Sequence, residues 1–150
     1  MPLDVLPVLC QNQHIYTLRN CQGGTVLDLS GADNYSIIGY HDNNGPNQAW
    51  IFQDNGDGWF IKSNETDKYL GIEGDVDDAG NGSRIVAVPS PCKWDIQDSD
   101  VEGAQGIRIL LHGKKFSVDL SDKGNATDGT PIQLWSRWQG ANQIWMTVER

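Results

Sequence analysis

The stretch VLDLSG, from Val26 to Gly31, decides the fold because its pattern occurs three times along the chain. It returns as YLGIEG from Tyr69 to Gly74 and as SVDLSD from Ser117 to Asp122. In all three copies apolar side chains alternate with polar or small ones, which is the period-two pattern of a strand that buries one face. The chain of 150 residues therefore contains an internal threefold repeat.

A tryptophan follows each of these strands at a nearly constant distance. The motifs are NQAW ending at Trp50, PCKW ending at Trp94 and NQIW ending at Trp145. Because the tryptophans persist even in the repeat that has lost its polar residues, we expect them to form the core rather than to contact a ligand. Gln48 and Gln143 precede two of them, and as buried amides they are expected to bind strand or turn backbone.

Six more strand-length runs lie among these motifs, and turns rich in Gly and Asn separate them. The runs are IYTLR, SIIGY, WFIK, RIVAV, IRILL and PIQLW, at residues 15–19, 36–40, 59–62, 84–88, 107–111 and 131–135. No window sustains a helical period, so we predict an all-β protein with about four strands in each repeat.

The three units can share one core. Closing them around a pseudo-threefold axis removes exposed sheet edges and buries one strand face of every unit. That architecture is the β-trefoil, and a mass of 16.6 kDa suits one such domain. We predict a single domain over residues 1–150, with repeats at approximately 12–53, 54–97 and 98–150.

The order VLDLSGADN, SIIGY and NQ-x-W resembles the ricin-B-chain-like, or R-type, lectins, and is most similar to the mushroom ricin-B-like lectins. The resemblance extends from about His14 onward through all three repeats, of which the second has a degenerate Q-x-W motif. It implies metal-independent binding of galactose or N-acetylgalactosamine in shallow pockets, with no catalysis and no cofactor. It also implies a defensive role as a fungal agglutinin or toxin.

The first repeat provides the chemistry that a sugar pocket needs. A sugar presents hydroxyl groups and a face of C–H groups, so its pocket combines a carboxylate, an amide and an aromatic ring. Asp28 lies in the middle of the first motif, Tyr40 ends the following strand and Asn47 lies in the NQAW turn. Because an aspartate within an apolar alternation is disfavoured in strands, a binding role is favoured for Asp28 over turn capping. His41 is predicted either to line the rim of this pocket or to serve only the turn.

The third repeat has the same three groups in phase, namely Asp119, Trp135 and Asn142. The step from the aromatic residue to the asparagine is seven residues in both repeats. We predict that the first-repeat pocket is the primary site and the third-repeat pocket the secondary one. The reason is that the loop at 30–36 is shorter than the loop at 121–130 and should leave its pocket more open.

The second repeat lacks these polar groups. Gly71 stands where the other repeats have aspartate, and Pro91 and Cys92 replace the Asn-Gln pair. We therefore predict that the second repeat does not bind sugar.

Composition excludes several other classes of function. Twenty acidic and eleven basic residues give a formal net charge of -9, which disfavours nucleic acid and anionic membrane surfaces as partners. No apolar stretch approaches the roughly 18 residues that a spanning helix needs. His14, His41 and His112 lie far apart without metal-ligand spacing, and the three cysteines lack a C-x-x-C motif, so we predict no metal site and no disulfide framework.

The N-terminal stretch, residues 1–10, lacks the basic segment of a secretory signal, so we read it as mature chain and expect a cytoplasmic protein. Four N-x-[ST] sequons would be glycan acceptors in a secretory pathway, although such triplets also arise by chance in Asn-rich loops. They begin at Asn34, Asn64, Asn81 and Asn125.

Two rival functions belong to other classes. A β-trefoil protease inhibitor would act through a protruding loop, but it has no reason to keep Asp, aromatic and Asn in phase twice. A glycosidase needs two carboxylates flanking one bond, whereas Asp28 and Asp119 fall in separate repeats. Glycans are thus the predicted partners. Avidity would come from two pockets per chain or from a homodimer, between which the sequence does not choose.

Overall fold

Twelve β-strands make up the protein in a computed structural model that describes residues 10–150. The predicted all-β trefoil, with four strands in each of three repeats, is confirmed, whereas the interpretation of the N-terminal stretch falls almost wholly outside the described residues. The strands are β1 His14–Asn20, β2 Val26–Leu29, β3 Ile37–Tyr40, β4 Trp50–Asp54, β5 Trp59–Ser63, β6 Tyr69–Ile72, β7 Ile85–Val88, β8 Trp94–Asp98, β9 Ile107–Leu111, β10 Phe116–Leu120, β11 Thr130–Ser136 and β12 Trp145–Glu149.

Helical structure in the described chain is limited to single turns in loops. A 3-10 turn lies within each repeat, at Pro46–Gln48, Val76–Asp78 and Ala141–Gln143. The four-residue turn Ser121–Gly124 has a left-handed backbone at its two central residues, with φ of 53° and 55°. The 3-10 turns of the first and third repeats carry the Asn-Gln pair, which ends two positions before the buried tryptophan. They place these amides near the second strand of their own repeat, β2 or β10.

The three repeats share one pattern of strand pairing. The second and third strands of each repeat form an antiparallel hairpin: β2 with β3, β6 with β7 and β10 with β11. The strand that begins with tryptophan pairs with the first strand of the next repeat, β4 with β5 and β8 with β9. By the same rule β12 pairs with β1, where Tyr16 faces Glu149, and this pairing closes the barrel.

The repeated tryptophans form the core, as the sequence predicted. Trp50, Trp94 and Trp145 are fully buried, each inside one continuous cluster of aliphatic and aromatic side chains. Each indole N–H donates a hydrogen bond to a carbonyl oxygen of the motif strand in its own repeat, at 3.0, 3.0 and 3.1 Å. The tryptophan thus ties the fourth strand to the second strand in every repeat and satisfies its own polar atom.

Across residues 10–150, no helix has the length and apolar character needed to span a bilayer. The same part of the chain holds no cluster of three or more His, Cys, Asp or Glu side chains suited to a metal ion. Cys10, Cys21 and Cys92 are free thiols.

Candidate functional site

Three of the four predicted first-repeat residues converge on one pocket of about 310 Å³ at the β2–β3 hairpin. Asp28 enters it from β2, Tyr40 from the end of β3 and Asn47 from the 3-10 turn. The rest of the lining is small or polar and consists of Ser30, Gly31, Ala32, Ile38 and Asn43. The structure therefore brings a carboxylate, an amide and an aromatic ring together, as the spacing predicted.

A glutamine holds the Asp28 carboxylate in place. The Nε2 amide of Gln48 donates to Asp28 Oδ2 at 2.9 Å and to the His41 carbonyl at 2.9 Å, while its Oε1 accepts from the Asn43 N–H at 3.0 Å. The predicted backbone role of Gln48 is thus correct but incomplete. Asp28 is only 3% exposed, and this burial raises its pKa, although hydrogen bonds from Gln48 and Asn47 oppose the rise.

The asparagine of the pocket is fixed by its neighbour strand. Asn47 Nδ2 donates to the Leu29 carbonyl at 3.1 Å, and in the third repeat Asn142 Nδ2 donates to the Leu120 carbonyl at 3.1 Å. Each bond leads to the residue directly after the pocket aspartate. The two pockets therefore place their amides in the same way.

His41 lies outside the residues that line the first pocket. Its Nδ1 is 2.6 Å from Asp128 Oδ2, and its backbone N–H donates to Asp128 Oδ1 at 2.8 Å. The imidazole lies beside the Tyr40 ring, with 4.6 Å between ring centroids and 30° between planes. His41 thus connects the aromatic ring of the first pocket with a loop of the third repeat.

The third-repeat residues also converge, on a pocket of about 400 Å³. Asp119, Trp135 and Asn142 all line it, from β10, β11 and the last 3-10 turn. Four further residues, which the sequence comparison missed, complete the lining: Asp122, Lys123, Gln133 and Trp138. This cavity is larger than the first, at about 400 Å³ against about 310 Å³. That the first pocket is the primary site stays a prediction.

Two glutamines hold the Asp119 carboxylate. Gln143 Nε2 donates to Asp119 Oδ2 at 2.9 Å and to the Ser136 carbonyl at 3.1 Å, which repeats the arrangement of the first pocket. Gln133 Nε2 adds a bond to Asp119 Oδ1 at 3.2 Å. Burial raises the pKa of Asp119, and hydrogen bonds led by that of Gln143 oppose the rise.

A fully buried arginine stands behind the third pocket. Arg108 Nη1 donates to Gln143 Oε1 at 2.6 Å, and its Nη2 donates to the Trp138 carbonyl at 3.0 Å. Asp100 neutralises the guanidinium, with Oδ1 at 2.8 Å from Nε and at 2.6 Å from Nη2. A charged residue inside the apolar run IRILL was the sequence signal for this group.

The second repeat has a cavity of about 380 Å³ on the corresponding hairpin and beyond it, but its chemistry differs. Val88 occupies the register position of Tyr40 and Trp135, and a Cβ added to Gly71 would overlap the Val88 side chain. An aspartate therefore does not fit at position 71 without rearrangement. Much of the remaining lining is apolar, including Ile72, Val76, Pro89, Pro91 and Leu111. That this repeat does not bind sugar stays a prediction.

A threefold strand barrel that carries two pockets of carboxylate, amide and aromatic ring defines a lectin of the β-trefoil class. The sequence family described as "Ricin-type beta-trefoil lectin domain-like" matches residues 8–88 and 46–135. The chain belongs to this family, and it is a carbohydrate-binding lectin of the ricin-B type. No curated protein sequence matches it.

Solved structures give the same assignment. The Macrolepiota procera ricin B-like lectin, solved in complex with lactose, is 40% identical, with a TM-score of 0.88 over 95% of this chain and 100% of that one. The Rhizoctonia solani agglutinin is 25% identical, with a TM-score of 0.83 over 97% of this chain and 100% of that one. ThreeFoil, a designed threefold-symmetric protein, shares the fold at 22% identity, with a TM-score of 0.80 over 91% and 99%.

Proposed function

We propose that this lectin binds glycans ending in galactose or N-acetylgalactosamine, through the first-repeat pocket and the third-repeat pocket. The observation that carries the proposal is the pair of buried aspartates, Asp28 and Asp119, each held by a glutamine beside an aromatic ring. A relative that is 40% identical was solved with lactose, a galactoside, which supports the same sugar class here.

The first pocket presents the better acceptor. Two side-chain donors act on the Asp28 carboxylate, Gln48 at 2.9 Å from Oδ2 and Asn47, so part of its accepting capacity is left for a sugar hydroxyl. In the third pocket the side chains of Gln133, Gln143, Asn142 and Trp138 all donate to Asp119, so a sugar must share its oxygens with more protein donors. Charge-assisted bonds are stronger than neutral ones, and this difference supports the first pocket as the primary site.

We propose that neither pocket is catalytic. Asp28 is the only carboxylate that lines the first pocket in the described chain. In the third pocket Asp119 is held by two glutamines, and Asp122 Oδ2 accepts from Asn125 Nδ2 at 2.8 Å. A glycosidase needs one carboxyl group free to protonate the leaving group and a second to act on the opposite face of the sugar ring. Incubation with aryl galactosides is expected to release no phenol.

We further propose a cytoplasmic agglutinin with a defensive role. The three free thiols are compatible with a reducing compartment. Cross-linking of cells requires at least two sites per particle, which two pockets in one chain provide and a homodimer would double.

The direct test is a glycan array with the wild type and the double variant Asp28→Ala, Asp119→Ala. We expect the wild type to select terminal galactose and N-acetylgalactosamine, and the double variant to lose that selection. Asp67→Ala is the matched control, because Asp67 is an exposed aspartate that lines neither pocket. Retention of the same glycans by the folded double variant would place the site elsewhere.

A further inference from the structure

Trp138 has a counterpart in the first repeat that carries no ring. The backbone N–H of Trp138 donates to Gln143 Oε1 at 3.2 Å, as that of Asn43 donates to Gln48 Oε1 at 3.0 Å. Both residues follow the aromatic residue of their pocket by three positions. The third pocket therefore has an indole at the place where the first has a short amide.

The third pocket consequently contains two aromatic plates. Trp135 is 41% exposed and Trp138 is 46% exposed, and both line the same cavity. Among residues 10–150, Tyr40 is the sole aromatic residue that lines the first pocket, whose volume is about 310 Å³ against about 400 Å³ for the third. Two large exposed indoles on one pocket are costly to keep in water unless a ligand covers them.

The second plate is fixed before any ligand arrives. The indole of Trp138 lies against Gly140 so closely that a Cβ at residue 140 would overlap ring atoms. Fully buried Arg108 donates to the Trp138 carbonyl, and Gln143 accepts from its N–H. The backbone C=O and N–H of Trp138 are both hydrogen-bonded and its ring packs against a glycine. The side chain therefore loses little conformational freedom when it stacks on a ligand.

We propose that the third-repeat pocket is a two-ring site for a galactose-containing disaccharide, with Trp138 stacking on the second sugar. The first-repeat pocket holds one ring. The inference rests on the proposed galactose binding and adds the size of ligand that each pocket takes. Arg108 acts on Trp138 through its backbone carbonyl and does not line the pocket.

Swapping Trp138 for its first-repeat counterpart tests the idea. In an Asp28→Asn background, which isolates the third pocket, Trp138→Asn should weaken lactose binding about five- to tenfold, the range expected for one lost aromatic contact. Because the Trp138 side chain also donates to Asp119, binding of methyl β-galactoside should weaken as well, but by a smaller factor than that of lactose. Isothermal titration calorimetry measures both ligands, and Trp138→Phe should restore most of the preference for lactose.

The first pocket provides the matched control. Isolated by Asp119→Asn, it should bind methyl β-galactoside and lactose with similar affinity, and Trp138→Asn should leave both unchanged. Thermal denaturation of each variant verifies folding.

The outcomes separate the two proposals. If the Asp28→Asn background binds neither ligand while remaining folded, galactose binding at the third pocket is wrong and the two-ring site fails with it. If that background binds both ligands and Trp138→Asn weakens them equally, or weakens neither, the galactose site stands and the two-ring inference alone is overturned.

Discussion

The first and third repeats hold a buried aspartate with the same glutamine, yet they surround it with different groups. Asp28 has two side-chain donors and faces a single tyrosine, whereas Asp119 has four side-chain donors and faces two tryptophans. Neither a carboxylate nor an amide from residues 10–150 lines the second-repeat cavity, yet Trp94 is buried as fully as the tryptophans of the other repeats. The comparison shows that the pocket residues differ between repeats while the core tryptophan stays the same.

Strand geometry explains this independence. Successive side chains of a strand point to opposite faces, so Leu27 and Leu29 belong to the common core while Asp28 between them turns to the pocket. A change at the middle position therefore alters the ligand site and leaves the core contacts in place. The four predictions that follow test this separation, beginning with the largest expected effect.

Trp94→Ala should lower the free energy of unfolding by roughly 3 to 5 kcal/mol, the usual cost of deleting a large buried aromatic side chain. This result would show that the second repeat is essential for stability although it is predicted not to bind sugar. Urea denaturation provides the measurement, and the exposed Trp138→Ala serves as control with an expected change below about 1 kcal/mol. An unchanged midpoint for Trp94→Ala would mean that the repeats do not share one core.

Asp28→Ala should weaken galactoside binding by roughly 1.5 to 3 kcal/mol, about ten- to hundredfold, because it removes a charged acceptor. Asp119→Ala should have the smaller effect on total binding if the first pocket is primary. Calorimetric titration with methyl β-galactoside compares them. Full binding by Asp28→Ala together with loss in Asp119→Ala would reverse the ranking of the two pockets.

Protonation of Asp28 and Asp119 at low pH should weaken galactoside binding but increase the free energy of unfolding. Burial raises the pKa of Asp28 and Asp119 above the ordinary value of about 3.9, so galactoside affinity should begin to fall at a somewhat higher pH than this. A raised pKa means that the folded chain binds the proton more tightly than the unfolded chain. Proton binding by these aspartates therefore stabilises the fold. This contribution is complete below the pKa of the unfolded chain and is lost as the pH rises through the higher pKa of the folded chain.

The variant Asp28→Asn separates these two responses. It should lose first-pocket binding at every pH, yet at pH 7 it should be at least as stable as the wild type, since it has no buried charge. Urea denaturation from pH 7 down to about pH 3 should show that stability difference shrinking as the wild-type carboxyl is protonated. A stability advantage of the wild type at neutral pH would instead assign Asp28 a structural role.

Chelation should have the smallest effect of all. The proposed contacts are a carboxylate, an amide and an aromatic ring, and none of them needs a cation, so affinity measured with and without EDTA should agree. Loss of binding would contradict the metal-free mechanism. It would direct attention to the acidic loop that contains Asp75, Asp77 and Asp78.

Sequence reasoning found the strands and the pocket triads because both follow a strict register. Alternation placed β2, β6 and β10, and the equal step from the aromatic residue to the asparagine placed Tyr40 with Asn47. Strand ends were less predictable. The strand β1 spans His14–Asn20, one residue longer at each end than the predicted 15–19, because it pairs with three other strands.

Other features depend on contacts between elements that no local pattern reveals. The hydrogen bond between His41 and Asp128 joins residues that are 87 apart in sequence. His41, predicted as a possible rim residue of the first pocket, therefore contacts the third repeat. Arg108 reaches Gln143 across 35 residues. Trp138 was within reach of the sequence comparison, since aligning the third repeat on the first pairs it with Asn43, but a short polar residue there gave no reason to look for a ring.

The pairing of β1 with β12 also determines when the barrel can close during synthesis. His14 Nδ1 lies 2.7 Å from Glu149 Oε2, and these residues are 135 apart in sequence. As the chain leaves the ribosome, β1 emerges early and has no partner along one edge until the twelfth strand follows. The nascent chain thus carries an open, hydrogen-bonding edge from the synthesis of β1 until that of β12, and closure joins segments far apart in sequence, a kind of contact that slows folding.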